Sequence, residues 1–351
     1  MPQNINSKTS QANIKNENMK AIFSYIASSD GISRAEIAQK TSLSLMTVGK
    51  VADLLIERGL VTQAKPATGN AGRRAGMLEV SDKLFILCFD LSTPKFRASA
   101  INLRLCSFDS LTYQYNDTLF PEDNLIIFFR KASSFLMRHL AEKTLIGTGI
   151  CVPGEYDEEK DTIIAPRMKE LDGLKIADTM KKSIGFAPNK IMNNVTAAAL
   201  SEFSCLPDDK KGSVISLSLD GGVVGCFAID GKIFPRRSDF ESIMCENGKT
   251  LGAVLSSANS YDEDTLCHLV VSSISPIISV LCPDAIFMSS NERNFSESFR
   301  QKLCELISSK AKNTQVIFEN RKEYRSEMGI AEWIRNEKFN EMGNKIENRF
   351  I

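Results

Sequence analysis

The chain is poor in imidazole and carries no net charge. Two histidines, His139 and His268, and nine cysteines that stand singly without a Cys-x-x-Cys pair are spread over 351 residues. That pattern offers neither zinc-cluster spacing nor a disulfide framework, so no metal is expected and the thiols are expected to be free. No apolar run approaches the roughly 18 residues of a membrane-crossing helix. Residues 1–12 are polar and hold no apolar stretch, which predicts a disordered tail rather than a secretory signal, and a cytoplasmic protein. The remaining composition, 43% hydrophobic and 25% charged, is that of an ordinary globular chain. Its length exceeds one small core and predicts a short module ahead of a larger, two-lobed one.

The zero net charge conceals an asymmetry. Residues 1–76 hold ten Lys or Arg against five Asp or Glu, a balance of +5 that the rest of the chain cancels. A basic head on an acidic body suits a polyanion-binding module joined to something else.

Within that head an amphipathic helix runs from about Ile14 to Ser28, with Ile14, Ile22, Tyr25 and Ile26 near one face. It stops at Ser29-Asp30-Gly31. Ser33-Arg34-Ala35-Glu36 is a capping-box pattern, in which the Ser33 hydroxyl takes the Glu36 amide and the Glu36 carboxylate reaches back. After Thr41-Ser42-Leu43, Ser44 caps a third helix to about Arg58 whose Val48, Val51, Leu54 and Leu55 face inward. Leu45, Met46, Lys50 and Asp53 then lie on other faces, with Ser44 and Thr47 at the exposed start, the end that enters a major groove. Strands at Leu60–Lys65 and Met77–Val80 flank a glycine-rich tip carrying Arg73 and Arg74. Gly69, Gly72 and Gly76 allow close backbone approach, and the arginines suit phosphates or a narrow minor groove. The order helix, helix, recognition helix, basic hairpin describes a winged helix-turn-helix, and the alternative is a plain protein-interaction bundle. The predicted DNA-binding set is Ser33, Ser44, Met46, Thr47, Lys50, Arg73 and Arg74.

From Leu84 the pattern turns to strands at Leu84–Asp90, Phe96–Leu103 and Ser107–Tyr115, then a helix over Glu122–Lys143 and a strand over Leu145–Val152. Helix 174–184, strand Lys190–Met192 and helix Thr196–Phe203 follow. Strands Ser213–Leu219 and Cys226–Ile229 precede a helix over Asp262–Val280. Two strand-rich openings, each followed by helices, predict a duplicated α/β fold with a cleft between its lobes.

Ser33-Arg-Ala-Glu-Ile-Ala, Ser44-Leu-Met-Thr-Val, Gly72-Arg-Arg and Asn193-Asn-Val-Thr-Ala-Ala-Ala-Leu200 together resemble the ROK (repressor, open reading frame, kinase) family, in its NagC/XylR-like regulator branch. The resemblance runs from about Met19 to Phe339. It implies an α/β chain: a winged helix-turn-helix over 13–80, then an actin-like (ribonuclease H-like) sugar-kinase-type body over 81–351. The first lobe would take about 81–195 plus a C-terminal helix 326–339, the second about 196–325.

Departures from the family's kinases fall on the chemistry. Their glycine-rich phosphate turn corresponds here to Asp90-Leu-Ser-Thr-Pro-Lys95, where Pro94 removes an amide. Their general-base Asp corresponds to Asn194, an amide that cannot take up the sugar proton. The second phosphate turn reads Asp220-Gly-Gly-Val-Val-Gly225, with a carboxylate where phosphate would lie. The sugar-contacting Glu and the His of the zinc loop should fall near Ser238–Thr250, where Asp239, Glu241, Cys245 and Glu246 stand without a histidine. The resemblance therefore implies a regulator without catalytic residues, cofactor or metal, with Asn193, Asn194 and Glu241 as effector-site candidates. For the two asparagines, helix capping ahead of Thr196 stands as an equal alternative. The implied partners are double-stranded DNA, a sugar or sugar-phosphate effector, and a second copy in a homodimer or dimer of dimers. Two rivals remain, a body that is a protein-interaction scaffold and an active sugar kinase with a DNA-binding head.

Overall fold

The computed structural model describes residues 5–63, 76–92, 95–165, 168–204, 212–218, 224–229, 232–233, 240, 242–290, 296–311, 313–320 and 325–347. The head is built from α1 (Ile5–Ala27), α2 (Arg34–Thr41), α3 (Leu45–Glu57) and a two-stranded antiparallel ribbon of β1 (Val61–Gln63) and β2 (Leu78–Val80). Met19, Ile22, Phe23 and Ile26 of α1 close over Ile37, Val48, Val51, Ala52 and Leu55, all buried. Two expectations are corrected here. The chain is helical from Ile5, so the disordered tail expected over 1–12 does not hold from that residue on; no Gly or Pro interrupts the run after Pro2. Ile14 is 58% exposed and lies off the core face, whose apolar stripe starts at Met19.

The first lobe opens with β3 (Leu84–Asp90), β4 (Lys95–Asn102) and β5 (Ser107–Gln114), followed by α4 (Pro121–Leu140) and β6 (Thr144–Val152). A small hairpin, β7 (Glu155–Asp157) with β8 (Thr162–Ile164), leads to α5 (Ala177–Ile184), β9 (Lys190–Asn193) and α6 (Asn194–Ser204). The sheet order is β5-β4-β3-β6-β9, antiparallel on the β4–β5 side and parallel from β3 through β6 to β9.

The second lobe repeats the plan. Strands β10 (Ser213–Ser218), β11 (Val224–Ile229) and β12 (Lys232–Ile233) precede α7 (Leu251–Ser256), α8 (Glu263–Leu281), β13 (Ala285–Ser290), α9 (Glu297–Lys310) and β14 (Gln315–Asn320). Their order, β12-β11-β10-β13-β14, matches that of the first sheet, with β10, β13 and β14 parallel. The duplication expected from the two strand-rich openings is thus seen in the topology.

Alternation along β3 decides the layers. Phe85, Leu87 and Phe89 point to one face and pack with Phe128, Phe129 and Leu125 of α4, whereas Ile86 and Cys88 point to the other. That second face receives α6 and the terminal helix α10 (Arg325–Glu347), which returns to the first lobe. Helix α8 has a mean hydropathy of 1.5 over a window long enough to cross a membrane, which corrects the expectation that no apolar run is that long. Leu266, Cys267, Leu269, Val270, Val271, Ile274 and Ile278 spend that apolarity inside the second lobe's core.

Candidate nucleic-acid interface and the cleft

Local capping sets the head's geometry. The Ser33 amide donates to Glu36 Oε2 at 2.9 Å and the Glu36 amide donates to Ser33 Oγ at 3.2 Å, so the capping box is closed in both directions. The Ser33 backbone amide, and then its hydroxyl, hold the Glu36 carboxyl below its usual range. Helix α2 ends at Ser42 in the left-handed region, φ 57°, which turns the chain sharply. Ser44 then caps α3: its Oγ accepts the Thr47 amide at 3.1 Å and shares a 2.9 Å hydrogen bond with Thr47 Oγ1. Across the turn Arg34 pairs with Asp53 at 2.7 Å and ties the exposed side of α2 to α3.

Leu45, Met46 and Lys50 stand exposed on α3, and Thr47 is half-buried. The structure therefore brings Ser44, Met46, Thr47 and Lys50 onto one exposed helix start, with Ser33 occupied as the cap of α2. Beside them β1 pairs with β2 from Val61↔Val80 to Gln63↔Leu78, the base of the expected wing. The tip with Arg73 and Arg74 lies outside the described residues.

The head is joined to the body by an unbroken apolar core. Phe23 of α1 meets Phe339 of α10 with ring centroids 4.9 Å apart, and Arg335 lies over the Phe23 ring at 5.5 Å while donating to the Leu103 carbonyl at 2.9 Å. Arg104 adds two donations of 2.7 Å to the carbonyls of Ala27 and Ser29 at the end of α1. Ile330, Ala331 and Ile334, further along α10, belong to the same core as the head's Ile22 and Leu55.

At the C-terminal end of β3 the buried Asp90 accepts from the Ser92 amide at 2.8 Å and from the Ser326 hydroxyl at 2.6 Å. Arg97 grips Glu327 through Nε at 2.8 and 3.0 Å and through its terminal nitrogen at 2.5 Å, and Ser99 donates to the same carboxylate at 2.8 Å. Glu327 has no solvent exposure. Burial pushes its carboxyl up to about 7, against the pull of Arg97 and Ser99 and with the push of the Asp90 charge. This network across β3, β4 and α10 was not anticipated; the one hint in sequence is a Glu at the start of an otherwise core-facing helix segment.

Asn193 resolves the ambiguity left by the sequence toward capping. Its Oδ1 accepts the amides of Val195 at 2.8 Å and Thr196 at 3.2 Å, and its amide nitrogen donates to the Gly154 carbonyl. Asn194 is half-buried at the first position of α6. Glu241, Asp239 and residues 220–223 lie outside the described residues. Cys245 turns inward and accepts from the Ser273 hydroxyl at 3.0 Å.

No family model matches the chain. It is 26% identical over 235 residues to a xylose repressor of Caldicellulosiruptor bescii, covering 65% of this chain and 57% of that one. A xylose repressor of Bacillus subtilis is 24% identical over 238 residues, covering 67% and 61%. The match thus spans less than two thirds of these curated relatives. Among solved structures, a ROK family transcriptional regulator described as a homologue of the E. coli MLC protein superposes with a TM-score of 0.68 at 15% identity, covering 94% of this chain and 97% of that one. The ROK hexokinase of Thermus thermophilus gives 0.56 at 13% identity, covering 70% of this chain and 96% of that one. The chain is thus similar in sequence to these repressors over about two thirds of its length, and it shares the fold of the ROK family regulator over nearly all of it.

Proposed function

We propose that the chain is a DNA-binding transcriptional regulator, a repressor of carbohydrate-related genes, working in the cytoplasm as a homodimer or dimer of dimers. The head over 13–80 binds duplex DNA, and the body over 81–351 senses a sugar or sugar-phosphate and carries no kinase activity. The observation that carries this reading is the exposed, Ser44-capped start of α3 beside the β1–β2 ribbon. That is the arrangement that inserts a recognition helix in a major groove with a wing along the backbone. In this reading Arg73 and Arg74 reach phosphates or the neighbouring minor groove.

The absence of kinase chemistry is supported by Asn194 at the general-base position and by Asp90, whose carboxylate is taken up by Ser92 and Ser326. Coupling between cleft and head is supported by α10. Its first turn holds Glu327 in the network at the cleft, and its later part holds Phe339 against α1. An effector that binds beside Asn194 and Glu241 and prefers one seating of α10 would shift the placement of two heads on a pseudo-palindromic operator.

Fluorescence anisotropy with the chain's own upstream promoter DNA, titrated over salt, tests the proposal. Specific binding is expected, with a salt slope that falls by about one per lost phosphate contact in an Arg73→Ala/Arg74→Ala variant. Equal, weak binding of any duplex by both proteins would overturn it.

A further inference from the structure

We propose that the first turn of α3 reads the C5-methyl groups of thymines in the major groove through Leu45 and Met46, so that thymine is specified at the base pairs these two side chains face. The inference rests on the DNA-binding reading above and names the chemistry of the bases read.

Leu45 is 59% exposed and Met46 71% exposed, side by side at the entry end of the helix, while the core is closed by Val48, Val51, Ala52 and Leu55. Neither side chain is needed to hold the head together. The polar groups beside them are committed elsewhere. The Ser44 hydroxyl accepts the Thr47 amide, and the two hydroxyls bond to each other at 2.9 Å, so both serve the cap. Asp53, the acid further along the helix, is paired with Arg34 at 2.7 Å. What the entry turn presents outward is therefore a leucine, a methionine and, at the next turn of the Met46 face, Lys50.

A major-groove edge offers donors, acceptors and one apolar group, the thymine methyl. Two apolar side chains on a polar, basic head can gain only from that group; against the O6/N7 edge of guanine they would leave acceptors dry and unpaired. Lys50 adds charge for the flanking phosphates. The head's excess of five positive charges, over residues 1–76, matches a polyanion and argues against an apolar protein partner as the occupant of this face.

The test uses the full-length protein and a library of random-sequence DNA duplexes. The duplex that emerges from repeated selection is resynthesised with deoxyuridine replacing each thymidine in turn, which removes one methyl and nothing else. Wild type is expected to lose about fourfold in affinity at one or two positions per half-site, the ~0.8 kcal/mol of one buried methylene-sized group. Met46→Ala is expected to be indifferent to deoxyuridine at one of these positions and Leu45→Ala at another, the non-additivity of a direct contact. Both variants should keep the wild-type melting temperature, because the side chains they shorten are exposed. A selected duplex with no deoxyuridine-sensitive thymine, or with the same sensitivity in wild type and both variants, overturns the methyl reading while DNA binding stands. A library that shows no enrichment overturns the DNA-binding reading and this inference with it.

Discussion

Gly329→Ala sets two physical effects of opposite sign against each other. In a helix interior, replacing Gly by Ala stabilises by about 1 kcal/mol through propensity alone. At Gly329 the helices α10 and α6 approach so closely that an added Cβ would lie 1.6 Å from the Ala197 carbonyl oxygen and 2.6 Å from its carbon. Both are backbone atoms, so no rotamer change relieves the overlap, and the helices must part by roughly 1.8 Å to reach the 3.4 Å of an ordinary contact. Parting is resisted on the far side, where Ile330 and Ile334 of α10 sit over Gly149 and Gly147 of β6 with no room even for a methyl. Overpacking of this kind costs about 3 kcal/mol, the upper part of the usual range, which leaves a net loss of about 2 kcal/mol. Gly49 on α3 is the internal control, since a Cβ there meets nothing within 4 Å. Gly49→Ala should therefore gain about 0.5–1 kcal/mol from propensity. Urea unfolding at neutral pH, with equal m-values across the three proteins, reads both changes. A Gly329→Ala protein as stable as wild type, or more stable, would refute the close seating of α10 on α6.

Further outcomes follow from the same contacts. Burial lifts Glu327 from an ordinary 4.5 to about 7, so folding takes up a proton there. That part of the stability is full at low pH and is lost as pH rises from about 4.5 to about 7. Urea midpoints at about pH 5 and about pH 8 should therefore differ more in wild type than in Glu327→Gln, and equal slopes would count against the shift. Arg97→Ala leaves the Glu327 carboxylate without its bidentate partner and should cost about 3 kcal/mol at about pH 8, less where the acid is protonated. Ser44→Ala removes the acceptor of the Thr47 amide and should cost about 1 kcal/mol, read in the same unfolding assay; an unchanged midpoint would deny the cap. Phe339→Ala empties the partner of Phe23 at the junction of head and body, at a cost of about 3–5 kcal/mol. Its melt should split into two transitions, the head losing order first, and a single unshifted transition would show that α10 does not hold the head.

What could be read from the sequence was what short-range physics decides. Ser33 and Ser44 were legible as caps because a hydroxyl and the amide it accepts are three residues apart, and the inward face of α3 was legible because Val48, Val51 and Leu55 recur at helical spacing. β3 was legible to the residue, an apolar run ended by Asp90. Asn193 sat between two roles because a capping asparagine and a ligand-binding one look alike until the Val195 and Thr196 amides are seen to occupy it. The network around Glu327 escaped because its members are joined only by the return of the last helix, some 230 residues after Arg97, and no local pattern encodes that pairing. The segments β13, α9 and β14 escaped for a related reason: strands such as Ala285–Ser290 owe their state to parallel neighbours 71 residues away in β10 rather than to alternation of their own. The long-range part is also the part that joins the end of β3 to the head. Ser326 and Glu327 reach Asp90 and Ser99, Gly329 meets Ala197, Ile330 and Ile334 lie on β6, and Phe339 closes on Phe23, so one helix runs from the end of β3 to the head. A change that unseats α10 without touching α3 should therefore alter DNA affinity as well as stability, whereas one confined to the α4 face of the first sheet should alter stability alone.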